Sequence, residues 1–275
     1  MEWHQQARPP GGELRGALRR ASLGIRAAGS YHSHMLIPVL RALCLAALLG
    51  LPAAAVALTS FRAEYDLSRG VVTLGQMSRV LVIDDDTQRY RFESTMETKG
   101  LVALFADARV VEISAGRIEP AGFVPERYSY DKQGTKKDYE LEFDYTRNLV
   151  RRSDAGAAWQ AAMPTRLLDK LSYQAQLMFD LASSPQALRY DIADKSRLKE
   201  YHIQVLGSET VETGLGKFDT VKLTREKAGS KRRTVVWCAP ALGWMAVKVE
   251  HRDKRGAVTT AVLSSLRQDP GSPDS

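Results

Sequence analysis

The chain is poor in the residues that most chemistry needs. It has two cysteines in 275 residues, Cys44 and Cys238, and five histidines, of which only His202 and His251 follow residue 57. Zinc sites need cysteine and histidine clustered at short spacings, and no such cluster occurs, so neither a metal nor another cofactor is expected. There is no G-x-S-x-G elbow. The one stretch with a passing likeness to a phosphate loop, GLGKF at 214–218, lacks the Ser or Thr after its lysine and reads as a hairpin turn. The acidic triplet 84–86 lacks the glycine and the closing glutamate of a calcium loop and reads as a solvated hairpin tip. Carboxylates are plentiful, but nothing in their spacing singles out two of them as a glycosidase pair.

Basic charge is present but unevenly placed. The formal net charge is +7, from 39 basic and 32 acidic residues. Residues 1–57 hold six arginines and two glutamates, so removing them leaves 33 against 30, or +3. A nucleic-acid partner is therefore not expected. The same region carries MLIPVLRALCLAALLGLPAAAVALTS at 35–60, with Arg41 as its only charge. A basic start, a short apolar core at 42–51 and small residues ending in Ala55-Val56-Ala57 form the layout of a secretory signal peptide. We assign 1–57 to an N-terminal extension and signal, with 35–57 the signal-like part. Met35 competes with Met1 as the start. Export to the periplasm is expected. The alternative is an inner-membrane anchor, with residues 36–58 retained as a helix and associated with the membrane. Once the signal is cleaved, Cys238 is the only cysteine left, and a lone cysteine in an oxidising compartment is usually a buried small hydrophobe.

From Phe61 onward the dominant pattern is alternation. FRAEYDLS sets Phe61, Ala63, Tyr65 and Leu67 on one face against Arg62, Glu64, Asp66 and Ser68 on the other. VVTLGQMSRVLVI, TQRYRFESTME, ARVVEIS and RYSYDK read as further strands, and GLVALF at 100–105 as a turn of helix or a corner. KKDYELEFDYT places Tyr139, Leu141, Phe143 and Tyr145 on one face and charges on the other, the mark of an antiparallel sheet with one wet side. Residues 153–164 read as a loop. One helix stands out, with Thr165 as its cap. Leu167, Leu168, Leu171, Ala175, Met178, Phe179 and Ala182 recur at three- and four-residue steps, and Ser183, Ser184 and Pro185 end it. Six more strand patterns follow at spacings of about ten residues, as in sandwiches and barrels. No strand–helix–strand alternation appears, which argues against a parallel α/β fold. Residues 58–268 form a single mainly β domain: a large curved antiparallel sheet or half-open barrel with one amphipathic helix packed on it. Residues 269–275 are a polar, disordered tail.

TVVWCAPALGWMAVKVEH, at 234–251, is the densest cluster of reactive and aromatic side chains. A catalytic thiolate needs a base, usually histidine. If the two halves pair around 239–242, Cys238 faces Gly243 or Trp244. His251 then lies seven residues further along, roughly 20 Å away at strand spacing, too far for a hydrogen bond. No catalytic residue is assigned.

The stretch from GKFDTVKL through TVVWCAPALGWMAVKVEHRDKRG to AVLSSL resembles the end of DUF3108, a family of exported bacterial proteins of unknown function. Its marks here are Gly216, Phe218 and Thr220, then Trp237 with Ala239-Pro240, then 245–249, with Ala246 where the family often has proline. YDLSRGVVTLGQMSRVLVI resembles the family's first hairpin, with Gly75 at its bend, and LLDKLSYQAQLMF its central helix, including Asp169 and Ser172. The resemblance implies a periplasmic, strongly curved antiparallel protein and brings no catalytic residues with it. A curved sheet with a helix across its concave face can hold a lipid or other apolar envelope ligand. Tyr65, Phe92, Tyr139, Phe143, Met178, Phe179, Trp237 and Trp244 are the expected lining. The expected role is a non-catalytic binding or scaffold domain of the cell envelope. The alternatives are a hydrolase acting on envelope glycan or lipid, and a membrane-anchored interaction partner.

Overall fold

The structure is a computed structural model that describes residues 58–99, 109–135, 138–153, 158–183, 188–226 and 231–268. The signal-like segment, the 100–105 run and the 269–275 tail lie outside the described residues. Fifteen strands and one helix follow in chain order: β1 (Phe61–Arg69), β2 (Val72–Asp84), β3 (Arg89–Thr98), β4 (Arg109–Glu119), β5 (Gly122–Lys132), β6 (Tyr139–Asp144), β7 (Leu149–Ser153), β8 (Trp159–Ala162), β9 (Leu167–Leu168), α1 (Ser172–Ser183), β10 (Leu188–Ala193), β11 (Leu198–Thr213), β12 (Gly216–Glu226), β13 (Arg233–Ala239), β14 (Met245–Arg252) and β15 (Val258–Gln268).

All fifteen strands belong to one open sheet, ordered β8-β7-β6-β5-β4-β3-β2-β1-β15-β14-β13-β12-β11-β10-β9. The chain meanders outward from β1 to β8 and returns from β9 to β15, which pairs with β1 in the middle of the sheet. Every neighbouring pair is antiparallel except β9–β10. Parallel neighbours need a crossover connection, and α1 supplies it. The alternation in β1 holds as read: Phe61, Ala63, Tyr65 and Leu67 are buried, and the residues between them are not.

So many strands twist, and the sheet curls round α1. A helix of 12 residues is marginal alone, so tertiary burial must hold it. Leu171, Ala175 and Met178 pack into one core with Tyr65, Phe92, Tyr139 and Trp237. Leu177 and Leu181 pack into a second, against Ile203, Leu223 and Cys238. The helix thus lies between the two arms of the sheet with apolar contacts to each.

A buried polar network joins helix to sheet. Asp169 is fully buried and caps α1. Its Oδ1 accepts the Leu171 and Ser172 amides at 2.7 and 2.8 Å, and Ser172 Oγ accepts the Asp169 amide at 2.8 Å. Its Oδ2 accepts the Ser114 hydroxyl of β4 at 2.6 Å, and Tyr90 of β3 lies 2.9 Å from the same hydroxyl. Two turns of helix on, buried Gln176 accepts the Phe123 amide at 2.8 Å and donates to Ala121 O and to Asp180. A Cβ at Gly122, between those two backbone groups, would overlap the Gln176 amide, and its φ of +112° suits glycine.

Three sequence expectations are corrected. Thr165 does not cap the helix: Leu167 and Leu168 are extended against Asp191 and Ile192, and α1 starts after Asp169. Both arrangements bury the same leucines, so their spacing did not separate them. Asp is a strong N-cap, and its buried acceptors decide the start. The 153–164 loop contains the edge strand β8, paired with β7 from Leu149↔Ala162 to Arg152↔Trp159. Tyr145 lies beyond the end of β6, exposed, with the Arg117 guanidinium 4.7 Å from its ring.

Asp169→Ala is expected to cost about 3 kcal/mol or more. It loses a cap worth about 1 kcal/mol and strands buried donors at about 1–3 kcal/mol each. Asp169→Asn, which keeps an acceptor, should cost less. Burial raises the Asp169 carboxyl above its ordinary 3.8 despite the hydrogen bonds it accepts. A raised folded value means that its contribution is complete below about pH 4 and is lost as pH rises through that value. Urea unfolding of parent and Asp169→Asn from about pH 4 to about pH 8 should show the variant gaining on the parent as pH rises; a flat difference contradicts this account.

Candidate functional site

Pro240 opens a short 3-10 turn after Ala239, which is extended at φ −94°, ψ 112°. Gly243 closes it at φ +63°, its amide bonding to Pro240 O at 3.2 Å, and the Trp244 amide reaches Ala239 O at 2.9 Å. That pair of bonds is a Schellman closure, which needs a left-handed residue where Gly243 stands. Trp244 is left-handed too, at φ +64°. For a bulky residue this costs about 1–3 kcal/mol, and its packing against both cores offsets it.

The turn projects Ala241 and Leu242 over a half-open cleft of about 240 Å³. Leu58, Thr59 and Phe61 at the start of β1, Met178 of α1, Met245 of β14 and Gln268 of β15 complete its lining. Phe61 and Gln268 are paired across β1 and β15, so the cleft sits at the seam where the two arms of the sheet meet. Its walls are mostly hydrocarbon and thioether, with Thr59 and Gln268 as polar side chains. A wall of this composition offers dispersion contacts and few hydrogen-bonding groups.

A second cleft, of about 420 Å³, opens between Pro164, Arg166 and Leu168 on one side and Asp180, Arg189 and Asp191 on the other. The Asp180 carboxylate is already engaged, by Gln176 at 2.7 Å and the Tyr190 hydroxyl at 2.9 Å.

A group of ionisable side chains, scattered in sequence, also comes together. Glu112 of β4 accepts the Tyr128 hydroxyl and pairs with Lys170, whose ammonium lies 4.6 Å from the Tyr130 ring. Asp194 accepts the Tyr139 hydroxyl at 3.2 Å and pairs with Lys199. Burial alone would raise Asp194, but the hydrogen bond and charge of Lys199 hold it below the usual carboxylate range. Burial, with Glu112 and Asp194 nearby, pushes the Tyr128 and Tyr139 phenols far up, so they stay protonated donors. Each carboxylate is therefore matched by one tyrosine and one lysine. The cluster fastens β4–β6 to the segment 170–199; it leaves neither acid poised as a base. Sequence reading missed it because its members lie up to 87 positions apart, between Glu112 and Lys199.

Cys238 is buried, and burial pushes its thiol up to about 12. It pairs with Ala246, not with Gly243 or Trp244, because the Schellman turn takes up extra residues. His251 pairs with Thr234, its Nδ1 3.0 Å from the Thr234 hydroxyl, four rungs or about 13 Å from Cys238. A protonated thiol with no base beside it is not a nucleophile.

Of the eight aromatic and methionine residues expected to line a ligand space, the structure places Met178 in the wall of the 240 Å³ cleft. Tyr65, Phe92, Tyr139, Phe143 and Trp237 are buried in the main core, and Phe179 and Trp244 pack partly buried against it. Trp237 is flanked by cross-strand neighbours Lys222 and Lys248, whose ammoniums lie 4.9 and 4.4 Å from its ring. The other cleft residues, Leu58, Ala241 and Leu242 among them, lie in stretches that showed only a strand start and a turn.

Among the described residues, no group of three or more His, Cys, Asp or Glu side chains is placed to hold a metal, and no helix is long and apolar enough to cross a membrane. The family model DUF3108, a protein of unknown function, matches residues 61–262. Among curated proteins none matches the sequence. A β-barrel-like protein of the domain of unknown function DUF1849 from Brucella abortus superposes with a TM-score of 0.54 at 10% identity, over 77% of this chain and 98% of that one. This similarity is one of fold. A protein labelled a lipoprotein from Parabacteroides distasonis covers 76% of this chain and 96% of its own at 14% identity, with a TM-score of 0.30.

In the native protein Cys238 should resist iodoacetamide and become alkylated only in urea. Peptide mass spectrometry of both samples reads this directly; rapid native labelling would contradict the assigned burial.

Proposed function

The chain belongs to the DUF3108 family, and from that premise we propose that it is an exported, non-catalytic binding domain of the cell envelope, which holds an apolar chain in the cleft beneath Leu242. The observation that carries this reading is the cleft itself: about 240 Å³ of half-open space lined by Phe61, Met178 and Met245, at the seam where β1 pairs with β15. Export rests on the signal-like segment at 35–57. The cleft suits part of an acyl chain. Burying about six methylenes contributes about 5 kcal/mol at about 0.8 kcal/mol each, enough for reversible capture once association costs are met. The two methionines favour chains of varied shape, because an unbranched thioether adjusts to irregular surfaces.

The hydrolase alternative gains nothing from the site. Asp180, Glu112 and Asp194 are each already hydrogen-bonded or ion-paired, and the Cys238 thiol is protonated.

The test uses cis-parinaric acid, which brightens when its chain leaves water. The parent should enhance its fluorescence. Ala241→Trp, which fills the cleft from an exposed position, and Leu242→Asp should each weaken binding about tenfold or more while leaving the unfolding transition in place. Equal enhancement in parent and both variants would refute the cleft as the binding site.

A further inference from the structure

The most exposed large apolar residue described in this protein is Val71, fully open at 103%, followed in the chain by Val72 at 52%. They stand at the β1–β2 turn. Arg69 pairs with Val72, leaving Gly70 and Val71 as a two-residue loop with Gly70 at φ +58°. A glycine with positive φ at the first loop position fits a tight hairpin turn of the II′ kind. Valine at the second position has no such reason. Turns favour Gly, Asn, Asp and Ser there, and a β-branched side chain in water gains nothing. A residue that contradicts local preference without a packing reward points to a role outside the fold.

Strand register shows what surrounds it. Ser68 pairs with Thr260 on β15, Val258 with Arg252 on β14, and Arg252 with Arg233 on β13. The β1–β2 turn, the β14–β15 turn and the start of β13 therefore lie at the same end of five adjacent strands. That end is basic. It carries Arg69, the 231–233 run Lys-Arg-Arg, and Arg252, Lys254 and Arg255, against Asp253 and, opposite Arg233 on β12, Glu226. The Asp253 carboxylate is taken up within its own turn, where it accepts the Arg255 and Ala257 amides at 2.8 and 3.0 Å. Arg69 is steered to this edge by a 3.2 Å bond to Thr259.

We propose that this end of the sheet docks on the surface of an anionic phospholipid bilayer. Val71 and Val72 enter the acyl boundary, and the basic residues around them lie against lipid phosphates. The shape favours a bilayer over a protein or nucleic-acid partner. The apolar element is an exposed hairpin tip, and it is aliphatic, with no aromatic residue in the turn itself for base stacking. The pattern is that of interfacial anchoring, in which a small apolar insertion and a cationic collar are both needed. Each basic side chain near an anionic surface strengthens binding roughly fivefold, and the gain falls within a Debye length. The proposal does not rest on the cleft reading.

Two measurements on the full chain test it. In vesicle co-sedimentation the parent should bind phosphatidylglycerol-containing vesicles more than phosphatidylcholine vesicles, and added salt should weaken the binding. Val71→Asp with Val72→Asp, and separately Lys254→Glu with Arg255→Glu, should each reduce it about tenfold or more. All four positions are exposed turn residues or strand ends, so folding is unaffected. The second measurement compares the emission of Val71→Trp with that of the parent. An added blue-shifted signal with anionic vesicles alone supports insertion of this tip, independently of any other apolar segment of the chain. Unchanged sedimentation in both double variants, or a Val71→Trp signal that does not respond to lipid, overturns the proposal. Loss of binding to a soluble polyanion in Lys254→Glu with Arg255→Glu, with no response from Val71→Trp, also overturns it, in favour of a polyanionic partner.

Discussion

The fold depends on one buried carboxylate. Asp169 ends the short strand β9, starts α1 by capping its amides, and accepts the hydroxyl of Ser114 across the interior. Without that acceptor the helix would have no fixed start. The two arms of the sheet, which pair covalently distant strands only at β1–β15, would lose a tie in the dry interior. The tie is polar because the geometry demands it. Where a helix begins against a sheet, free amides face inward, and only a buried acceptor can satisfy them. Gln176 solves the same problem one step further along, at the β4–β5 turn, and Gly122 is small because Gln176 stands over it.

The rest of the molecule follows from that arrangement. With α1 held between the arms, its apolar side chains pack with the buried aromatic residues of the sheet, and two features stand at opposite ends of the strands next to the β1–β15 seam. One end has the Leu242 turn over Phe61 and Met178; the β1–β2 end has a bare valine tip in a basic collar. Both features oppose local preference: a left-handed tryptophan at 244, and an exposed valine at 71. Conflicts of this kind gather at functional surfaces, because elsewhere they would only cost stability.

The site was less legible in the sequence than the fold. The aromatic residues that alternation singled out, Tyr65, Phe92, Tyr139, Phe143 and Trp237, are the largest and most periodic side chains, and they lie in the core. The cleft is lined instead by the end of a strand, a 3-10 turn and one helical methionine. Those positions lack period, and they meet only because β1 and β15 pair across two hundred residues. Likewise the Glu112–Lys170 and Asp194–Lys199 pairs carry no local signature, since acidic and basic residues recur along the whole chain and nothing in their spacing marks the half-buried ones.

By itself the sequence determined the elements that rest on local pattern. Period-two burial in β1, the acidic turn after β2, the hairpin at GLGKF and the end of α1 at Ser183 all follow from residue spacing and turn chemistry. Membership of the DUF3108 family was visible for the same reason, since its marks are structural residues of strands and turns. Only the tertiary structure decided where α1 begins, that 159–162 forms an edge strand, that Cys238 faces Ala246, and which side chains line the cleft. Each of those depends on a partner far along the chain. Burial constrains which residues leave water, but the hydrogen bonds and register that choose among equally buried arrangements exist only after the chain has folded.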